Sequence, residues 1–289
     1  MKIVCVYRDE RYSPNYVEKD RAILDAVGEK LREKGCQVTF VREAELSGID
    51  ADACLSMARS ARALQIERES GVWCVNAPEG VALCCRRISL DQLMRAEKVA
   101  MPPLQGSNGC WLKRGDSSTE TRGDVVFCAT EADEQKALAA FRERGISEVV
   151  RSAHVEGDVV KFYGVGDGQL FRCYYPSDDG ISKFGDECRN GSSHHYAFDE
   201  RQLKEEVCRL ARAVGVQVYG GDCVVRADGS FAIIDFNDWP SFSRCREEAA
   251  TAIASLIIHL SPISSKVNSK SVNSKYKNVN IQGDASGIV

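Results

Sequence analysis

The first 75 residues alternate between two periods, and that alternation limits the architecture more than any other feature of the sequence. Residues 2–7 (KIVCVY) read as a buried strand, since a short unbroken apolar run suits a strand covered on both faces. Residues 18–34 follow as an amphipathic helix, with Ala22, Ile23, Ala26, Val27 and Leu31 at helical spacing and Gly35 to close it. The segment 37–41 is the next strand, a second helix is predicted over about 53–70, ending at Gly71, and 72–75 is a third strand. Strand, helix, strand, helix, strand is the rhythm of a small parallel sheet. Residues 76–80 leave the sheet as a turn, and a helix over about 89–98 leads to Pro102-Pro103.

After the prolines the rhythm changes. Two strands, 110–113 and 124–128, are joined by the polar loop 114–123, and a helix over 131–144 opens on Thr130 with Asp133 three residues on. Strands at 148–151, 159–163 and 170–175 precede a long loop and a helix over 199–214. Two last strands, 216–225 and 231–236, flank the turn Ala227-Asp228-Gly229. The apolar stretch 249–260 is too short to span a bilayer and reads as a core helix. The predicted division is a Rossmann-like lobe over 1–100, a lid lobe over 101–155, a C-terminal lobe over 156–262 and a disordered Ser/Asn/Lys-rich tail over 263–289.

Composition excludes some functions. A net charge of −4 gives no global basic field for nucleic acid or anionic lipid, so neither is expected as a partner. The start, MKIVCVYRDE, lacks the long apolar stretch of a signal peptide. Thirteen cysteines include no CxxC pair, and most lie within apolar runs such as VVFCA and GGDCVV. An odd total without an export signal points to free thiols in a reducing compartment, hence a cytoplasmic protein.

The chemistry concentrates in Asp222 and Asp235-Phe236-Asn237. Positions 235 and 237 share one face of a strand, and the 227–229 turn brings Asp222 alongside them. Two carboxylates and an amide oxygen at one spot suit Mg2+ bridged to nucleotide phosphates, because that ion takes few protein oxygens. Lys113 ends one strand and Lys161 sits within apolar VVKFY, so two ammonium groups stand ready to neutralise a triphosphate. The loop 114–123 would close over the phosphates and exclude water. No GxxxxGK[ST] phosphate loop and no Ser-His-Asp arrangement is present.

This order of parts resembles the ATP-grasp superfamily over about residues 1–260. The resemblance implies an α/β fold with an α+β lid, in which an N-terminal Rossmann-like lobe accompanies two lobes that sandwich ATP. It implies that Lys113 and Lys161 bind ATP, that 115–123 is the mobile loop, and that Asp222, Asp235 and Asn237 hold the metal. It also places the adenine-contacting hinge at Glu148, Val149, Val150 and Arg151, running on to Ala153. Two departures stand out. Asp235 replaces the usual Glu, and no arginine shortly precedes Asp222, which leaves Arg172, with Lys161, as the candidate for steadying a transferring phosphoryl group.

Two closer likenesses suggest different reactions. The turn with Asn76 and Pro78, the helix before Pro102-Pro103 and a Gly-x-Asp motif are similar to the glutathione-synthetase and ribosomal-protein glutamate ligase group. The run VVR to VVKFYGVGDG and the GGDCVV pattern are similar to inositol-trisphosphate kinases. The loop 176–196, with Lys183, Arg189, His194 and His195 beside Asp178, Asp179, Asp186 and Glu187, mixes charges. That mixture suits an amino-acid-like guest better than a polyphosphate. The favoured reading is a ligase for small carboxylate and amine (or thiol) substrates, with a hydroxyl kinase or a nucleotide-binding module as alternatives. A homodimer is left open.

Overall fold

The computed structural model describes residues 1–13, 16–178 and 190–260. The expected tail, and Lys183, Arg189, Asp179, Asp186 and Glu187 of the mixed loop, lie outside the described residues.

The N-terminal lobe is a four-stranded parallel sheet of β1 (Lys2–Tyr7), β2 (Gln37–Arg42), β3 (Ala53–Ser56) and β4 (Trp73–Val75), in the order β2-β1-β3-β4. Its apolar runs have a direct cause, since both faces are covered. Ile3, Cys5 and Leu55 turn to the face packed by α1 (Val17–Glu33), while Val4, Val6 and Cys54 turn to the face packed by α2 (Ala61–Ser70). The helix predicted over 53–70 is thus a strand followed by a shorter helix. Ala53-Cys54-Leu55-Ser56 is buried on both faces and so lacks the alternation that marks a half-exposed strand. Ser60 caps α2 by accepting from the Ala63 N–H. The turn predicted at 76–80 instead opens a helix, α3 (Pro78–Cys85), with proline in the first turn, and α4 (Arg87–Ala96) follows.

The lid is the antiparallel sheet β6-β5-β7, made of β5 (Cys110–Arg114), β6 (Val125–Cys128) and β7 (Val149–Ala153). α5 (Glu131–Glu143) starts at the Thr130–Asp133 capping box read from the sequence and sets Ala137 and Phe141 against Cys110, Leu112 and Cys128. The second antiparallel sheet, β11-β10-β8-β9, is built from β8 (Asp158–Val165), β9 (Leu170–Tyr174), β10 (Val218–Val225) and β11 (Phe231–Asp238). α6 (Glu200–Val214) lays Leu203, Val207, Leu210 and Val214 on the outer face of that sheet, against Val160, Phe162 and Cys223. Each antiparallel sheet therefore spends one face on a helix, and the period of two leaves the intervening side chains to the space between the sheets.

The last helix, α7 (Arg246–Leu260), does not stay with the strands before it. It packs on α1, and Ala249, Ile253, Leu256 and Ile257 join Ile3, Ile23 and Val27 in one core. Among the described residues no helix is long and apolar enough to cross a membrane. The described cysteines are free thiols, buried except for the half-buried Cys85 and Cys173.

Candidate active site

A cleft of about 360 Å3 lies between the two antiparallel sheets and is closed at one end by the N-terminal lobe. Trp111, Lys113 and Val125 face it from the lid, and Val159, Lys161, Asp222, Asp235 and Asn237 face it from the opposite sheet. Strand register makes the centre of the site. Asp222 is the direct partner of Lys161 on one side and of Asp235 on the other, so the three form a single row across β8, β10 and β11. Lys161 Nζ donates to Asp222 Oδ1 at 2.6 Å, and Asn237 Nδ2 donates to Asp235 Oδ2 at 2.7 Å. Gly221 allows the strands to close up, because a Cβ there would meet the Asp235 carbonyl oxygen at 2.1 Å and the Phe162 ring at 2.5 Å.

A β-bulge adds a connection that register alone would not give. Asp222 pairs with Asp235 while Cys223 pairs with Ile233, which leaves Ile234 as the extra residue. Its carbonyl accepts from Lys113 Nζ at 2.7 Å, so the lid lysine reaches across the cleft to the backbone beside Asp235. Burial pushes the Lys113 ammonium below its ordinary pKa, against the pull of Asp235. Burial also disfavours charge on Lys161, but Asp222 outweighs it and the pKa is raised. Asp235 shows the same contest with opposite sign. Burial would raise its pKa, and Lys113 and Arg87 together hold it low.

Arg87, at the start of α4, is a cleft residue that the sequence reading missed. Its guanidinium donates to the Arg114 carbonyl at 2.9 Å and to Thr119 Oγ1 at 2.9 Å, both neutral acceptors of the lid strand and loop. Lys113, Lys161 and Arg87 thus oppose Asp222 and Asp235, an excess of one positive charge at the middle of the cleft. At the far end Arg8, Arg59, Tyr12, Tyr16, Asp20 and Asp238 line the wall. Arg8 and Arg59 stand just beyond β1 and β3, at the carboxyl ends of parallel strands, where α/β sheets offer their crevice.

The structure moves two of the expected groups. Of the predicted hinge, Ser152 and Ala153 line the cleft, joined by His154 and Val155, whereas Glu148, Val149, Val150 and Arg151 do not. Val149, Val150 and Arg151 are strand partners of Arg114, Lys113 and Leu112, while Glu148 pairs with Arg86 and Arg151 with Glu134. The chain faces the cleft only where it leaves β7 to cross to β8. There Asn190 Nδ2 donates to the carbonyls of Val155 (3.3 Å) and Gly157 (2.9 Å). Arg172 is outside the cleft lining. It lies on the edge strand β9 and pairs with Glu248 on α7, so the structure does not place it where it could steady a phosphoryl group. His194 and His195 also lie outside the lining and pair with Asp158 and Asp178.

The donor set at the centre fits magnesium. Asp222, Asp235 and Asn237 offer hard oxygens, and Asn237 uses its amide nitrogen on Asp235, which leaves its oxygen as the amide atom for a cation. Among the described residues no group of three or more His, Cys, Asp or Glu side chains could hold a metal ion.

Two antiparallel sheets gripping such a cleft, set against a parallel sheet, define the ATP-grasp architecture, and the chain has that fold. Three solved structures make the match concrete. A RimK domain protein ATP-grasp from Sphaerobacter thermophilus is similar over 88% of this chain and 98% of its own, at 13% identity and a TM-score of 0.65. A D-alanine–D-alanine ligase from Coxiella burnetii is similar over 93% and 97%, at 10% identity and a TM-score of 0.65. The corresponding Bacillus anthracis ligase, solved with ATP, is similar over 93% and 98%, at 12% identity and a TM-score of 0.62. No protein-family model and no curated protein matches the sequence.

Proposed function

We propose that the protein is an ATP- and magnesium-dependent ligase that joins a small carboxylate to an amine or thiol. The observation that carries this reading is the convergence of Lys113, Lys161 and Arg87 on the Asp222–Asp235 pair inside a cleft between two sheets. Cations from both sides of the cleft would bind and neutralise a triphosphate, work that in phosphoryl transfer is almost entirely positioning and charge stabilisation. Asp222, Asp235 and Asn237 would hold magnesium, which when bound offsets phosphate charge. Ser118 and Thr119 of the loop 114–123 reach the cleft, so the loop would keep water from the reacting groups. ATP supplies the phosphoryl group: a substrate carboxylate oxygen bonds to the γ-phosphorus as ADP departs. The amine nitrogen then bonds to the acyl carbon, phosphate leaves and the nitrogen gives up a proton.

The far end of the cleft favours a ligase over a hydroxyl kinase acting on a polyphosphate. Arg8 and Arg59 are matched there by Asp20 and Asp238, with Arg8 bonded to Asp20 at 2.9 Å, and Arg87 and Arg244 are the other arginines of the lining. A polyphosphate would need several cations still available to converge on it. The test incubates the protein with MgATP and pooled small carboxylates, with and without pooled amines, and follows ADP, free phosphate and product mass. A ligase releases both in an amine-dependent way and forms a product lighter by one water than its two substrates together. ADP without free phosphate, alongside a hydroxyl acceptor that gains a phosphoryl group, would show a kinase instead.

A further inference from the structure

Arg59 touches all three lobes. It follows β3, donates Nη2 to Asp238 at the end of β11, and donates Nη1 at 3.0 Å to Ser118 Oγ in the loop between β5 and β6. The turn that carries it is itself fixed, because Glu43 Oε1 accepts from the backbone N–H groups of Arg59 (3.0 Å) and Ser60 (2.6 Å). The Asp238 side chain is 0% exposed and that of Arg59 6%. Arg8 holds Asp238 from its other oxygen at 3.5 Å and donates to the Trp239 carbonyl at 3.1 Å. Removing either arginine would strand a buried charge, so this junction is tightly set.

Asp238 directly follows Asn237 at the end of β11, and both line the cleft. Fixing Asp238 from the N-terminal lobe therefore fixes how Asn237 is presented to the cleft. The two contacts of Arg59 differ in strength. The bond to Asp238 is buried and doubly charged, whereas the bond to Ser118 is to a neutral hydroxyl on a half-buried loop. The loop can leave while Arg59 stays on Asp238. Arg59 Nε is buried without a hydrogen-bond partner, so the guanidinium holds both outer contacts while leaving its inner donor unmet.

We propose that Arg59 is a positioning residue that latches the loop 115–123, closed over the cleft, to the strand end carrying Asn237. Loop closure then ends on an arginine already seated at the strand end that carries Asn237. The inference rests on the ATP reading above only in its nucleotide arm.

The experiment is amide hydrogen exchange of the full-length protein, read over residues 116–121. Ser118→Ala deletes the loop side of the latch and leaves Arg59 on Asp238. Without nucleotide, exchange there is expected to rise roughly three- to tenfold, the weight of one ordinary hydrogen bond, with the melting temperature unchanged. Arg59→Lys keeps a charge beside Asp238 but loses the planar fork, and should give a similar rise. The double variant should exchange no faster than the faster single variant, because both substitutions break one contact. Unchanged exchange in Ser118→Ala overturns the latch, and so do single effects that multiply in the double variant. In turnover, Ser118→Ala should raise KM for ATP several-fold with kcat little changed, a split that a purely structural residue would not produce. Adding MgATP should slow the same peptide in the unsubstituted protein. If it does not, the ATP reading fails, while the nucleotide-free comparison still decides the latch.

Discussion

Glu67 on α2 offers a sharp test of the electrostatics of the N-terminal lobe. The residue is 2% exposed, Ser56 Oγ donates to one of its carboxyl oxygens, and the other oxygen is buried without a partner. Burial raises its pKa from an ordinary 4.5 to about 7, with Ser56 opposing the rise. A group raised in the folded state binds its proton more tightly there than in the unfolded chain. Its contribution is fully present below about pH 4.5 and is lost as pH climbs to about 7. The interval corresponds to a loss on the order of 3 kcal/mol. Glu67→Gln has nearly the same shape and no titration, so the variant should match the parent at pH 4.5 and exceed it at pH 8. The comparison is best made between the two proteins at each pH, which cancels every other titrating group. Melting temperatures by differential scanning fluorimetry should diverge by ~5–10 °C across that range, with the variant higher at alkaline pH. A gap that stays constant from pH 4.5 to pH 8 would mean that Glu67 titrates as a solvated carboxyl, and the burial argument would be wrong.

Three further substitutions probe the cleft. Asp235→Asn should keep the fold and abolish stabilisation by MgATP, which for a ligand at about 100 times its Kd is worth roughly 2.7 kcal/mol in the parent; an undiminished thermal shift would remove Asp235 from the metal site. Arg87→Met should lower the melting temperature by a few degrees at most, since it removes one of the two cations that hold Asp235 charged while its own hydrogen-bond partners are neutral, yet lower kcat/KM by about 10²–10³. Activity within a factor of three of the parent would refute a role at the phosphates. Gly221→Ala puts a methyl group against the Asp235 carbonyl and the Phe162 ring, and should cost ~2–4 kcal/mol in a chemical denaturation experiment; a neutral result would mean that β10 and β11 are not so close.

What the sequence showed of this site, and what it hid, follows from the range of each signal. Asp235 and Asn237 could be placed together because a two-residue period is local, and the Ala227-Asp228-Gly229 turn set Asp222 near them. Lys161 stood out as a charge inside an apolar strand. The bulge at Ile234 had no such mark, because it exists only as a mismatch between two strands, and with it went the Lys113 contact. Arg87 was hidden by its helix, where an arginine in the first turn looks like an ordinary surface residue until Thr119 folds onto it. Of the stretch read as a hinge only Ser152 and Ala153 reach the cleft, because 149–151 pair within one strand, and nothing local says where the backbone turns toward the cleft. Arg172 looked available only because its partner, Glu248, is 76 positions away. In the fold, β3 was lost to a helix for want of alternation, whereas the capping box at Thr130 and the amphipathic α1 and α6 were plain.

The return of α7 to α1 affects how the chain can be made and divided. During synthesis the first hundred residues leave the ribosome with Ile23, Val27 and Leu31 facing a surface whose cover arrives only after Ala249. The opening sheet must therefore wait, part of its apolar side uncovered, through translation of both antiparallel lobes. A fragment cut at residue 100 would carry that surface into solution and tend to aggregate, whereas the sheet β6-β5-β7 has α5 to cover it within the same stretch of chain.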